Sequence, residues 1–304
     1  MRPFQLVGVP YTSMAESGGI ANAISVFRGL DLAQRLAQLG VEDEGDMTLK
    51  GPSGVRGPSG LLNEEALDHL VERTHTTVHS IRDRGRIPLM VGGDCPVLLG
   101  ALASIGPGTG PGLVMLDGHD DAWPPSLSET GEASDSELGI ALGLISDLSP
   151  TLAAWTPLVA GPRVALLGPR DSDEIAKRGG TPVAPHVALF LDDRSVTARG
   201  PERSAVEALE AIGEGEFWLH IDLDVLSPAD FPAADYLQPG GLSWSELQEL
   251  AATVLAGPGP AGVSVAIYNP DRDPGWAVAR RVVDFVVRLV EEFSPQRSTR
   301  STGR

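Results

Sequence analysis

LVMLDGHDD, residues 113–121, sets four apolar residues directly before three acids and a histidine. A run so short and so uniformly apolar reads as a strand buried on both faces, and the polar cluster then falls just past its carboxyl end. FWLHIDLD, residues 217–224, has the same form and ends on two more acids. Working outward, Phe4–Val9 is another such run, Ile87–Val91 precedes GGDC, Arg163–Leu167 precedes GPRD, Val187–Leu191 precedes DDR, and Gly262–Ile267 precedes YNPD. Between the runs lie segments with helical spacing of apolar residues: Glu64–Arg84, Pro96–Ser104, Ser136–Ile145, Glu202–Ile212, Ser243–Leu255 and Trp276–Phe293. Ser243 with Glu246 three residues on predicts a capping box. Strand–helix alternation of this kind predicts a three-layer α/β/α domain with a mostly parallel, doubly wound sheet. GGDC, DGHDD, HIDLD and YNPD all fall at carboxyl ends of strands, the edge where open α/β sheets bind ligands.

The totals agree with one domain. The chain has 304 residues, 42% of them hydrophobic, enough for a well-buried core. No Pro/Gly-rich linker divides it, so residues 1–293 read as one unit and 294–304, basic and aperiodic, as a disordered tail. The net charge of −18 argues against nucleic acid or an anionic membrane as partner, since phosphate binding needs clustered Lys and Arg. An acidic balance permits metals and cationic small molecules. The lone cysteine, Cys95, rules out an intramolecular disulfide and suits a reducing cytoplasm. The N-terminus lacks a signal-peptide pattern, and no run of about 20 apolar residues exists to span a membrane.

The chemistry resides in two motifs. Asp117, His119 and Asp121 are spaced i, i+2, i+4, which in extended backbone puts their side chains on one face, and Asp222 and Asp224 repeat the device. Four carboxylates brought together repel one another and raise each other's pKa unless cations neutralise them. The donors are mostly hard oxygens with one imidazole, which favours Mn²⁺ or Mg²⁺. Two such ions roughly 3.5–4 Å apart would deprotonate a bridging water at neutral pH. A lone Asp-x-Asp after a strand is more often a turn or helix cap than a ligand pair. The DxHxD pattern is more specific, and both patterns in one chain favour the metal reading.

Taken in order, GGDCP at Gly92–Pro96, DGHDD at Asp117–Asp121, GPRD at Gly168–Asp171, DLDVLSP at Asp222–Pro228, PAADYLQPGGL at Pro232–Leu242 and IYNP at Ile267–Pro270 resemble the motifs of the ureohydrolase family, which comprises arginase, agmatinase, formiminoglutamase and relatives. The likeness spans roughly residues 4–290. It implies an arginase-like fold and a pair of Mn²⁺ ions. Asp117 and Asp222 would bridge the two, His119 and Asp224 would complete one shell, and Asp121 would hold the other ion and act catalytically on the bridging hydroxide. The resemblance also implies hydrolysis of a C–N bond in a cationic guanidino or amidino small molecule. That family members are commonly oligomeric extends to this chain only as such an implication.

Three positions depart from the family pattern. The GGDH histidine falls on Cys95, which reads either as a softer ligand to one ion or as a small buried residue without a metal role; its position favours the ligand, and a cysteine here also resembles the hydroxyarginine-hydrolysing branch. The Glu of ExNP, which grips the guanidinium in arginase and agmatinase, falls on Ile267. The family's proton-shuttling histidine has no counterpart in Thr130–Glu137. Acids crowd nearby instead. Glu132 and Asp235 are the candidate substrate contacts, whereas Asp135 and Glu137 read as acids satisfying a helix dipole. His220, two before Asp222, reads as a packing residue or one that orients a ligand. Trp123 reads as lining the pocket mouth or closing the core. Two other functions stay open: a non-catalytic member that keeps the fold and binds a metal or small ligand, and a metal hydrolase of another amide or amidine, as in the distantly similar deacetylases.

Overall fold

The structure is a computed structural model and describes residues 2–106 and 110–293. The tail expected over 294–304 lies outside the described residues. In chain order the elements are β1 (Phe4–Gly8), α1 (Ala23–Gly29), α2 (Leu32–Ala37), β2 (Glu42–Asp46), α3 (Glu64–Asp83), β3 (Ile87–Val91), α4 (Val97–Ala103), β4 (Gly112–Leu116), α5 (Glu137–Ala141), α6 (Pro150–Trp155), β5 (Val164–Gly168), α7 (Ser172–Lys177), β6 (Leu189–Asp192), α8 (Asp193–Arg199), α9 (Pro201–Ile212), β7 (Phe217–Asp222), α10 (Trp244–Leu255), β8 (Pro260–Ala266) and α11 (Ala277–Phe293). The eight strands form one sheet in the order β2-β1-β3-β8-β7-β4-β5-β6. Every pairing in it is parallel.

Helices cover both faces, giving the three layers expected. Alternate residues of every strand but β2 feed two cores. Leu89, Val114, Leu116, Leu219 and Ile221 pack with α1, α2 and α9–α11 on one side. Met90, Leu113, Met115 and Trp218 pack with α3–α6 on the other. Parallel strands buried on both faces need apolar residues at successive positions, which is why they stand out in the sequence. The capping box on α10 is formed: Ser243 Oγ accepts from the Glu246 amide and Glu246 returns to the Ser243 amide.

The sequence pattern misses one strand and five short helices. β2, EDEGD, is an edge strand with exposed side chains and no apolar alternation to reveal it. The helices α1, α2, α6, α7 and α8 have six or seven residues each, too few turns for a periodic pattern to register. The helix expected over Ser136–Ile145 is shorter, ending near Leu142, where Gly143 turns the chain at φ +74°. No helix among the described residues is long and apolar enough to cross a membrane.

Candidate metal centre

The four central strands of the sheet, β3, β8, β7 and β4, are neighbours in that order. GGDC, IYNP, DLD and DGHDD follow them in turn, so four loops far apart in sequence open side by side on one edge. The GGDC turn depends on glycine: Gly93 adopts φ +72°, and a Cβ there would lie 2.5 Å from the Val9 carbonyl oxygen. The turn delivers Asp94, whose carboxylate accepts from the Ser13 amide (2.8 Å) and the Cys95 amide (3.0 Å), and it buries Cys95 beneath the cluster.

DGHDD is not extended, as the one-face reading assumed. The chain bends at Gly118–His119, and Asp121 sits at φ +43°. Convergence still results. Asp117 Oδ1 accepts from the His119 amide at 2.8 Å. His119 Nδ1 lies 2.8 Å from Asp224 Oδ2 and 3.8 Å from Asp117 Oδ1. Asp224 Oδ1 accepts from the Gly118 amide (2.9 Å), and Asp222 Oδ1 accepts from the Asp224 amide (2.8 Å). Arg170 of GPRD fixes the second loop from outside by donating to the carbonyls of Asp224 (2.8 Å) and Val225 (3.2 Å). Asp120, the remaining acid of the motif, turns away, accepting from Ser172 Oγ (2.6 Å) and the Val183 amide (3.0 Å). Cys95 Sγ makes a very short contact with Asp222 Oδ2.

The residue the sequence reading misplaced is Glu137. Its place in a first helical turn predicts a role at the helix dipole, yet it is fully buried and faces the Asp121 carboxylate. The signal against the bland reading was weak: a first-turn acid looks the same whether it faces solvent or a site. His220 is also fully buried, with Nδ1 2.6 Å from Ser264 Oγ and Nε2 without a partner. Two groups of donors could hold a metal among the described residues: Asp117, His119 and Asp224, and Cys95, Asp117, Glu137 and His220. Asp117 belongs to both.

Charge is poorly balanced here. Burial first, then mutual repulsion, pushes Asp117, Asp121, Asp222 and Glu137 well above the usual carboxylate range. Asp224 alone is held below it: burial opposes its charge, but the His119 imidazolium outweighs that. Burial likewise works against a charged His119, and Asp224 lifts it to about 10. Burial raises the Cys95 thiol, with Asp222 adding to the shift. Burial takes His220 down to about 3, so it is neutral. Such a cluster is satisfied by protons or by divalent cations.

Above it lies a cavity of about 70 Å³, lined by His119, Asp121, Trp123, Glu132, Asp235 and Ile267 among others. Trp123 thus lines the pocket. The Glu132 carboxylate accepts from the Tyr236 hydroxyl at 3.0 and 3.1 Å, and burial plus Asp94 and Asp135 raise it to about 8. Asp235 is engaged by Asn269 Nδ2 (2.8 and 3.0 Å) and by a very short contact from Arg272 Nε. Asp135 accepts from Ser128 and Thr130 hydroxyls (2.6 Å from Thr130), organising its own loop rather than a helix dipole. Ile267 is buried at φ +62°, a costly conformation for a β-branched residue, and its amide donates to the Gly93 carbonyl at 2.9 Å.

The chain is similar to known proteins along nearly its whole length. The Arginase family model matches residues 4–291. An arginase from Brevibacillus brevis is 28% identical over 253 residues, covering 79% of this chain and 82% of its own length. Among solved structures, an arginase from Bacillus caldovelox superposes with a TM-score of 0.80 at 23% identity, covering 97% of this chain and 99% of its own. Proclavaminate amidino hydrolase from Streptomyces clavuligerus superposes at 0.70 with 17% identity, over 97% and 92% of the two chains.

Proposed function

Because the chain belongs to the arginase family, we propose that it is a divalent-metal-dependent hydrolase that cleaves a C–N bond of a guanidino or amidino compound, releasing urea or a substituted urea beside an amine. The observation that carries this reading is the meeting of Asp117, His119, Asp222 and Asp224 from two strand ends, with the Asp117 Oδ2 oxygen buried and unpartnered. A buried carboxylate oxygen without a donor is costly unless a cation meets it, so the residues fit the group the family implies. Asp117, His119 and Asp224 would hold one ion; Asp121, Asp222 and Cys95 lie toward the other. Divalent cations, when bound, supply a water nucleophile at neutral pH and a counter-charge for the oxygen that becomes negative.

The chain's own groups do the rest. Asp121, facing the cavity, takes the proton given up by the attacking water and returns it to the departing amine nitrogen. His119 and Arg170 hold Asp224 in place through its carboxylate and its carbonyl. Ile267 supplies an apolar wall where arginase and agmatinase have a cation-binding Glu, so the cationic end of the substrate falls to Glu132. Asp235 contributes long-range charge, because its carboxylate is already paired with Arg272.

The test is urea release by the purified protein loaded with Mn²⁺, Co²⁺ or Zn²⁺, across arginine, hydroxyarginine, agmatine and guanidino acids. Turnover of one of them is expected; none, with metal bound, overturns the reading. Ile267 and the histidine-free Thr130–Glu137 segment favour one second reading, a ligand-binding member without turnover. Fewer than one metal per chain after loading would support it.

A further inference from the structure

Cys95, Asp117, Glu137 and His220 converge from four different segments: the loop after β3, the end of β4, the start of α5 and the middle of β7. Each offers one ligand atom, and these atoms all lie within 4.8 Å of one another. The four are among the most deeply buried polar groups of the chain, between 0% and 2% exposed. Four of their atoms, Asp117 Oδ2, both Glu137 oxygens and His220 Nε2, have no hydrogen-bond partner. Each buried polar atom left so costs about 1–3 kcal/mol. An ion among them would satisfy all four residues at once.

We propose that these four residues form a thiolate-containing metal position of the Cys-His-carboxylate type, next to a harder position at Asp117, His119 and Asp224, so that the centre holds two chemically different ions bridged by Asp117. The proposal deepens the metallohydrolase reading and rests on it through the shared Asp117 and Cys95. Two of its ligands, Glu137 and His220, come from the geometry and not from any resemblance.

The donor chemistry selects the ion. Sulfur, imidazole nitrogen and two carboxylate oxygens form a borderline-soft set that suits Zn²⁺ or Co²⁺, whereas Mn²⁺ and Mg²⁺ favour sets made of oxygen. His220 is oriented as a ligand would be. Nδ1 lies 2.6 Å from Ser264 Oγ, which also accepts from Trp218 Nε1–H at 2.9 Å; in the tautomer that donates from Nδ1, Nε2 is bare and free to ligate. The very short Cys95–Asp222 contact brings a fifth donor to the edge of the same space.

The rival explanation is a shared proton: Glu137 lies against Asp121, and one neutral carboxyl would let the pair hydrogen-bond. Cobalt separates the two. The metal-free protein is titrated with Co²⁺ while the near-ultraviolet spectrum is followed for a thiolate-to-cobalt band, and bound metal is counted by elemental analysis. The expected result is two ions per chain and a thiolate band that Cys95→Ser abolishes. His220→Gln and Glu137→Gln are each expected to weaken the banded site by at least about 10-fold, with His119→Ala leaving the band in place. Circular dichroism of each variant identifies those that fold, and the conservative His220→Gln stands in for a larger truncation. Two bound ions with no thiolate band, or a banded site indifferent to both Glu137→Gln and His220→Gln, overturns the inference while the two-metal reading stands. No ion at either position brings down both.

Discussion

The two corners that share Asp117 differ in how their polar atoms are satisfied. On the Asp224 side the charged groups are paired: His119 meets the carboxylate, Gly118 donates to it, Arg170 grips the carbonyl behind it, and His119 and Asp224 carry opposite charges. On the Glu137 side four buried atoms have no partner, and the nearest neighbours are acids and a thiol. One corner is preorganised by the protein itself. The other is complete only when something positively charged, a proton or a metal ion, is inside it. Preorganised corners resist change in the loaded and unloaded forms alike, whereas the second corner should respond strongly to what it holds.

Four experiments would break or sharpen that contrast. The largest effect is expected from Asp224→Ala, which removes both the counter-charge of His119 and a proposed metal ligand: urea release at saturating metal should fall on the order of 10²–10³-fold, the range for losing one electrostatic stabiliser. A fall of less than tenfold would show that the paired corner is dispensable. Ser264→Ala, which frees the His220 ring without touching the cluster, should weaken metal binding at the thiolate corner about 10–100-fold and leave the other corner unchanged; competitive titration with a chelating dye measures both. Glu137→Gln should stabilise the metal-free protein to chemical denaturation by about 1–3 kcal/mol, because its amide can donate to Asp121. An unchanged unfolding midpoint would mean that the acid is already satisfied there. The smallest effect concerns Glu132, poised at about 8. An acid so raised is neutral at pH 7 and charged above pH 8, so KM for a cationic substrate should fall about 10-fold as pH rises through 8, the size of one charged hydrogen bond. Glu132→Gln should flatten that profile, and a profile that survives the substitution would assign the cation elsewhere.

The same contrast explains what could be read in the sequence. The sheet's interior was legible, since strands such as LVML and FWLHI are apolar at successive positions and end on acids. DGHDD and DLD were legible because five donors at spacings of two are rare by chance. β2 was not, since an exposed edge strand carries no apolar alternation. The sequence points His220 to packing or ligand orientation and Glu137 to a helix dipole, for a physical reason. In a strand buried on both faces, a histidine's side is not encoded by alternation, and an acid in a first helical turn satisfies local rules wherever the helix points. Asp235 shows the converse: its place in the substrate loop suggested a contact with substrate, but Arg272, 37 residues away, had already claimed the carboxylate. Long-range pairing of that kind leaves no local trace.

The edge strand has a consequence of its own. Glu42, Asp43, Glu44 and Asp46 line the outermost strand of the sheet, each tied to an arginine from the chain behind: Arg86, Arg28, Arg84 and again Arg28. A bare strand edge is a template on which other chains can stack. Here the edge is polar, exposed and already engaged by arginines, so it offers an incoming strand no apolar row to stack on. The hazard of fibre-like growth is thus fenced off at this edge of the sheet, and not at the opposite edge, β6, by four carboxylates that take no part in the proposed chemistry.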